Sequence, residues 1–230
     1  MFGIAGVEGN GQAELISAIT GAAKPASGEI HYDGKNISDI NTAKFRKLGI
    51  GYIPEDRNTM GASLNTSIEE NLILNVINDK KMKTLGILNH RSICKYSDAL
   101  IKKFKIKTDD AKLPARSMSG GNVQKMVVAR EINENPQFII ACQPTRGVDI
   151  SSIEFIHNHL LEQRNNGAAV LLVTTELTEI LALSDRIGII YNGEIVAVLN
   201  NDGSLSEEDL GFYMLGIKRE CNTTSETGVS

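Results

Sequence analysis

Two glycine-rich strings carry the residues whose types and spacing could do chemistry. The first is Gly6-Val7-Glu8-Gly9-Asn10-Gly11-Gln12-Ala13. A phosphate-binding loop needs Gly, four residues, Gly, Lys and then Ser or Thr, because backbone N–H groups wrap the phosphates, the lysine adds charge and the hydroxyl binds magnesium. Here the glycine skeleton is present, but Gln12 and Ala13 stand where the lysine and the hydroxyl belong. Glycines alone serve a bare strand-turn-helix equally well. The second string, Ser117-Met118-Ser119-Gly120-Gly121-Asn122-Val123-Gln124-Lys125, stands just before a helical stretch. Read by itself it is a glycine turn into a helix that Ser119 and Asn122 can cap.

Such strings need elements to hold them. Residues 3–7 are small and apolar and predict a strand running into the loop, and 14–19 have helical spacing closed by Gly21. A turn over 24–28 leads to a short strand at 29–32 and the turn Asp33-Gly34, and a β-rich patch then ends in a strand at 49–53. From Ser67 to about Lys107 the pattern turns helical, with Ile68, Leu72, Leu74 and Val76, then Ile93, Leu100, Ile101 and Phe104, near helical spacing. This stretch reads as a helical subdomain inserted into an α/β core. Helix 122–133, strand 138–141, helix 151–165, strand 169–174, helix 176–183 and strand 187–191 follow, and their alternation implies a mainly parallel sheet. Asn192-Gly193 predicts a tight hairpin to 194–198, and the polar stretch 219–230 reads as a disordered tail.

Composition narrows the function classes. The 230 residues hold 24 Lys+Arg against 28 Asp+Glu, a net charge of −4, with basic residues scattered among acidic ones. A nucleic-acid partner is therefore not expected. With 41% hydrophobic and 23% charged residues and no apolar run near the ~20 residues of a membrane-spanning helix, any membrane connection comes through a partner. Cys94, Cys142 and Cys221 fit neither a disulfide framework nor a paired zinc-ligand spacing, so the expected compartment is reducing and cytoplasmic and no metal ligand is assigned. His157 and His159 diverge on their helix, which makes a metal site there improbable.

Taken together, the strings resemble the motifs of ATP-binding cassette (ABC) ATPases. Ser117 to Lys125 is similar to the family's signature motif, in the Asn-containing form of sugar and nucleoside importers. Gly51-Tyr52-Ile53-Pro54-Glu55-Asp56-Arg57 looks like the Q-loop region, with Glu55 in the usual glutamine position. Phe138-Ile139-Ile140-Ala141-Cys142-Gln143 resembles the Walker B strand, with Cys142 and Gln143 replacing its Asp-Glu pair. Arg146-Gly147-Val148-Asp149 resembles the D-loop and keeps Asp149, and Val173-Thr174-Thr175-Glu176 resembles the switch region with Thr175 at the histidine position. Gly6 to Gln12, Gln143-Pro144-Thr145-Arg146-Gly147 and Ile153-Glu154-Phe155-Ile156-His157 match best the second, degenerate cassette of tandem-domain importer ATPases of the simple-sugar and nucleoside family. Gln143 favours the nucleoside branch.

The resemblance implies a P-loop ABC nucleotide-binding domain over residues 1–218 with its helical subdomain at about 67–125. It implies ATP as ligand, contacted from Glu8, Gly9, Asn10, Gly11, Gln12, Ala13, Glu55, Ser119, Gly120, Gly121, Asn122 and Asp149. A hydrogen bond to a charged group is worth about 1.5–3 kcal/mol, so Gln12 in place of lysine weakens nucleotide binding roughly tenfold to a hundredfold. Ala13 and Cys142 forgo the magnesium clamp, Thr175 the imidazole, and Gln143 the general base, a loss of typically about 10²–10⁴ in rate. The domain's own site is expected to be non-hydrolytic. Ser119, Gly120 and Gly121 would instead offer a hydroxyl and N–H groups to a triphosphate, with its magnesium, held by a partner cassette.

The implied partners are another ABC domain, in the same native polypeptide, and membrane permease subunits, with an extracytoplasmic substrate-binding protein indirectly. The implied place is the cytoplasmic face of the membrane. The chain starts at the first core strand, without the upstream strands and adenine-stacking aromatic of that family, which lowers its expected free-standing affinity. Three alternatives stand beside this reading: a ribose- or galactose-type sugar importer domain that hydrolyses ATP itself, a chain that hydrolyses ATP by homodimerising, and a regulatory or assembly module unrelated to transport. Asn10 is read either as a phosphate contact or as a loop former at positive φ, and Cys142 as a small apolar filler.

Overall fold

A computed structural model describes residues 1–219 of the chain, which divide into two compact units, 1–48 with 171–219, and Gly49–Val170. Apart from Arg219, the tail expected over 219–230 lies outside the described residues, as does Cys221. Among the described residues no helix is long and apolar enough to cross a membrane.

The first unit is built on a buried strand. β1 (Phe2–Ala5) pairs in parallel with two later strands, Phe2 lying opposite Leu171 on one side and Arg186 on the other. The glycine string then enters α1 (Gln12–Ile19), and a small hairpin of β2 (His31–Tyr32) and β3 (Lys35–Asn36) turns at Asp33-Gly34, both at positive φ. α2 (Thr42–Lys47) occupies part of the stretch expected to be β-rich. Asn41 caps it by accepting from Lys44 N at 3.0 Å, and Phe45 alone anchors it. One large apolar residue in six leaves no 3.6-residue period to read.

In the second unit β4 (Gly51–Ile53) is followed by one π-helical turn at Arg57–Gly61 and by α3 (Ile68–Ile73), whose start is fixed by a reciprocal Ser67–Glu70 capping box. Ile68, Leu72 and Val76 are buried as expected, but Leu74 is exposed and Ile73 takes its place in the core. The stretch expected to be helical holds a hairpin, β5 (Lys83–Thr84) and β6 (Ile87–Leu88), turned by Leu85 and Gly86 at positive φ. A Leu-Gly pair is a weak turn cue beside Asn-Gly, so the hairpin escapes a sequence reading. α4 (His90–Lys103), capped by Asn89, packs Ile93 with Ile73, Val76 and Met82 in a cluster of its own.

α5 (Gly120–Ile132) begins two residues earlier than expected, because Gly120 and Gly121 form its first turn rather than the approach to it. Val127, Val128, Ala129 and Ile132 bury it almost completely. β7 (Phe138–Cys142) lies parallel to β4, Gly51 opposite Ile139 and Ile53 opposite Ala141. α6 (Ile150–Asn165) follows, and β8 (Ala169–Thr174) starts in this unit and runs on into the first, where it flanks β1.

The first unit closes with α7 (Leu177–Leu183), β9 (Arg186–Tyr191), β10 (Glu194–Asn200) and α8 (Glu207–Met214). α7 lies so close to β1 that a Cβ on Gly3 would stand 2.3 Å from Ser184 Oγ and 2.7 Å from Ile180 Cγ1. The strand order here is β10-β9-β1-β8, all parallel except the β9–β10 hairpin, which turns at Asn192-Gly193 with both residues at positive φ as the dipeptide predicts.

Candidate functional site

In the first unit the glycine loop is closed on itself. Gly9 (φ 88°) and Gly11 (φ 111°) take the left-handed backbone that side chains resist, and Asn10 between them does not. The positive-φ role open to Asn10 in the sequence is thus corrected: it shapes the loop by hydrogen bonds. Its Nδ2 donates to Val7 O at 3.0 Å, its Oδ1 accepts from Asn192 N at 2.8 Å, and its own carbonyl accepts from Gly193 N at 2.8 Å. The Asn-Gly turn of the hairpin thereby fixes the loop.

Gln12 Nε2 donates to the same Val7 carbonyl at 3.0 Å, so its side chain folds back over the loop. Glu8 and Ala13 are exposed. The side chains of Gln12 and Ala13 supply neither a cation nor a hydroxyl to a phosphate. Thr175 sits past the end of β8, where Glu176 N donates to Thr174 Oγ1 at 3.1 Å.

The second unit gathers the remaining motif residues. Glu55 forms an ion pair with Arg146, and Arg57 donates from Nη1 to Arg146 O at 2.6 Å and from Nη2 to Gly147 O at 3.1 Å. Gln143 takes a left-handed backbone (φ 46°), unusual for its type, in a tight turn whose carbonyl accepts from Arg146 N at 3.0 Å. Gln124 Nε2 reaches from α5 to Pro144 O at 2.7 Å. Two arginines and one glutamine therefore hold the whole 143–147 turn, a role the sequence reading missed although all three lie within strings it singled out.

Cys142 is buried at the end of β7, and burial, with a smaller contribution from the Glu55 charge, pushes its thiol up to about 12. A protonated thiol there is a filler and not an acidic ligand. Alkylation at mildly alkaline pH is expected to spare Cys142 in the folded chain and to modify it once denaturant is added. Peptide mass spectrometry reads the difference, and rapid labelling of the native chain would contradict it.

Ser119 stands at the N-cap position of α5 without a side-chain capping bond; its Oγ accepts from Asn122 Nδ2 at 2.9 Å. Asn122 Oδ1 in turn accepts from Lys107 N at 2.8 Å. Asn122 N and Val123 N donate to Ser119 O at 2.9 and 3.0 Å, and the Ser119 side chain takes neither the Gly120 nor the Gly121 N–H ahead of them. Ser119 itself is exposed. A Cβ on Gly121 would stand 2.6 Å from Asp149 Oδ2 and 2.7 Å from Ser152 Oγ, so only glycine lets this turn rest on the start of α6. Asp149 caps α6, accepting from Ser151 Oγ at 2.6 Å, Ser152 Oγ at 2.9 Å and Ser152 N at 3.0 Å, and the two serine hydroxyls hold its carboxyl down at about 2. An uncapped helix start with a free hydroxyl and two glycines can receive an anion.

Known proteins resemble the chain at the level of family and fold. The ABC transporter family model matches residues 1–146. The guanosine import ATP-binding protein NupO of Bacillus subtilis is 46% identical over 216 residues, 94% of this chain and 42% of the relative. The nucleoside import ATP-binding protein NupA of Lactococcus lactis is 39% identical over 216 residues, again 94% of this chain and 42% of the relative. The chain thus spans about two fifths of the length of both. A solved dimer of the ATP-binding cassette MJ0796, in a post-hydrolysis state bound to ADP and Pi, is similar with a TM-score of 0.73 and 24% identity, covering 88% of this chain and 86% of that one. At that identity the likeness speaks for the fold alone, the P-loop cassette fold with a mostly parallel sheet that the motifs imply.

Proposed function

The chain belongs to the ABC transporter family, and we propose that it is the second, degenerate cassette of a nucleoside importer ATPase, one that completes a partner's ATP site without hydrolysing ATP at its own. The combination of a glycine loop closed by Gln12 with a signature helix whose N-cap residue, Ser119, is exposed and makes no side-chain cap bond supports this reading, and the Gln12 Nε2 to Val7 O bond is the observation that carries it.

The residues present do not fit a magnesium nucleotide in the chain's own loops. Lysine, hydroxyl, acidic pair and imidazole are replaced by Gln12, Ala13, Cys142 with Gln143, and Thr175. They do fit the γ-phosphate of a nucleotide presented from outside, toward which Ser119 Oγ–H and the Gly120 and Gly121 N–H groups would donate. Bound ATP, with its magnesium on the partner's loop, would supply the free energy of closure. The Glu55–Arg146 pair and the Arg57 bonds would then carry that closure from the 143–149 turn to the loop leading into α3, and so to a permease subunit. The partner cassette belongs, in this reading, to the same polypeptide, consistent with relatives more than twice as long. The assembly would sit peripherally on the inner face of the membrane, and the nucleoside class of cargo rests on what NupO and NupA are named for.

A phosphate-release assay on the purified chain tests the reading. The expected result is no turnover above background with or without magnesium. Magnesium-dependent turnover would overturn it and favour either a sugar-importer domain with its own active site or a self-complementing homodimer.

A further inference from the structure

α3 and α4 bring three metal-ligating side chains of different chemistry to one spot. His90 and Cys94 are one turn apart on α4 and share a face, and Glu69 meets them from α3. Cys94 Sγ lies 3.5 Å from Glu69 Oε2 and 3.5 Å from His90 Nε2, and all three ligand atoms lie within 4.8 Å of one another. Around a tetrahedral zinc ion, with metal–sulfur near 2.3 Å and metal–nitrogen or –oxygen near 2.0 Å, neighbouring ligand atoms stand roughly 3.3–3.6 Å apart. Two edges of that tetrahedron are already at the required length.

The state of Glu69 gives an independent reason. It is 8% exposed, and among the described residues its carboxylate has one hydrogen-bond partner, the Cys94 thiol, a weak donor. Buried carboxylates are as a rule paired with a cation or bound to a metal. A cavity of about 370 Å³ adjoins the cluster, and Glu69, Cys94, Asp98, Asp109, Asp110 and Lys112 are among its lining residues. Three aspartates against one lysine make its mouth net negative, which draws in cations and leaves room for water.

We propose that Glu69, His90 and Cys94 bind a divalent transition ion of the zinc class, with water from the cavity completing the tetrahedron. On binding, the Cys94 S–H bond breaks, its proton leaves to solvent and a metal–sulfur bond forms. The thiolate and the Glu69 carboxylate then balance the two positive charges, with His90 neutral. The thiolate and imidazole select against magnesium and calcium, which take oxygen ligands. The bound ion cross-links α3 to α4 beside the Ile73, Val76, Met82 and Ile93 cluster.

The test is a cobalt(II) titration of the 230-residue chain kept reduced with a non-thiol phosphine. Thiolate-to-cobalt charge-transfer absorption saturating at one equivalent, and abolished by one equivalent of zinc, is expected. Zinc affinity by calorimetry should fall more than about tenfold in Cys94→Ser and in His90→Ala, the latter at an exposed position that leaves folding intact. Absence of the absorption, its persistence in Cys94→Ser, or unchanged zinc affinity in His90→Ala would overturn the assignment.

Discussion

Ser119→Arg, introduced into this chain joined to the partner cassette that the proposed function calls for, is expected to lower ATP turnover by more than about a hundredfold, the scale of losing an oxyanion-type donor, while Gln12→Ala leaves the rate near that of the parent. The geometry separates the two. Ser119 is exposed at the start of α5, spends its hydroxyl on no helix cap, and leads directly into the Gly120-Gly121 turn. An arginine there removes the hydroxyl and fills the space a γ-phosphate would need, without disturbing the buried part of α5. Gln12 makes one side-chain bond, to a carbonyl of its own loop. Asn10 still ties that loop to the 192–193 turn when Gln12 is shortened. Steady-state hydrolysis of the two variants at saturating ATP decides the matter, and an equal loss from both would contradict the asymmetric reading. Nucleotide affinity measured alongside shows whether Ser119→Arg acts at the chemical step, as the arrangement implies, rather than on binding alone.

What the sequence made legible, and what it hid, follows from how far apart the interacting residues lie. The glycine loop, the Asn192-Gly193 hairpin and the signature turn were readable because each rests on the backbone needs of a few consecutive residues. Gly9, Gly11 and Gly193 must take positive φ, and no distant contact is needed to know it. The alternating strands and helices from β7 onward were readable for the same reason: their periods are local. α2 and the β5–β6 hairpin were not, since one buried phenylalanine and a Leu-Gly turn give no periodic signal.

The pins of the candidate site were hidden by distance along the chain. Glu55 meets Arg146 across 91 positions and Arg57 reaches Arg146 across 89, so no spacing rule joins them. The Glu69, His90 and Cys94 group was half legible. His90 and Cys94 have the i, i+4 spacing of a shared helix face, but counting cysteines for pairs overlooks a site with one thiol, and Glu69 comes from another helix.

The largest expected effect on stability lies in the last turn of the signature helix itself. Arg130 and Glu131 form an ion pair whose side chains are 4% and 0% exposed. Arg130 Nε and Nη2 both donate to Glu131 Oε1, at 2.9 and 2.8 Å, and Nη2 also donates to Gly61 O at 2.8 Å. Glu131 Oε2 accepts from Tyr52 N at 3.1 Å and from Asn75 Nδ2 at 3.2 Å. One carboxylate therefore holds together α5, strand β4 just before Glu55, and the chain past the end of α3.

Glu131→Ala leaves the Arg130 charge buried and unpaired and strands the Tyr52 N–H, and breaking a buried pair in this way costs about 3–5 kcal/mol. For a domain of this size the melting temperature should fall by on the order of 10 °C, measured by calorimetry or by circular dichroism at a fixed scan rate. Arg130→Met with Glu131→Leu removes both charges together and should recover part of the loss but not all, because the Tyr52 N to Glu131 bond stays lost and the Arg130 to Gly61 O bond is lost as well. A single variant as stable as the parent would mean that β4 and α5 are positioned by apolar packing alone. The Glu55 loop would then not depend on this carboxylate for its place.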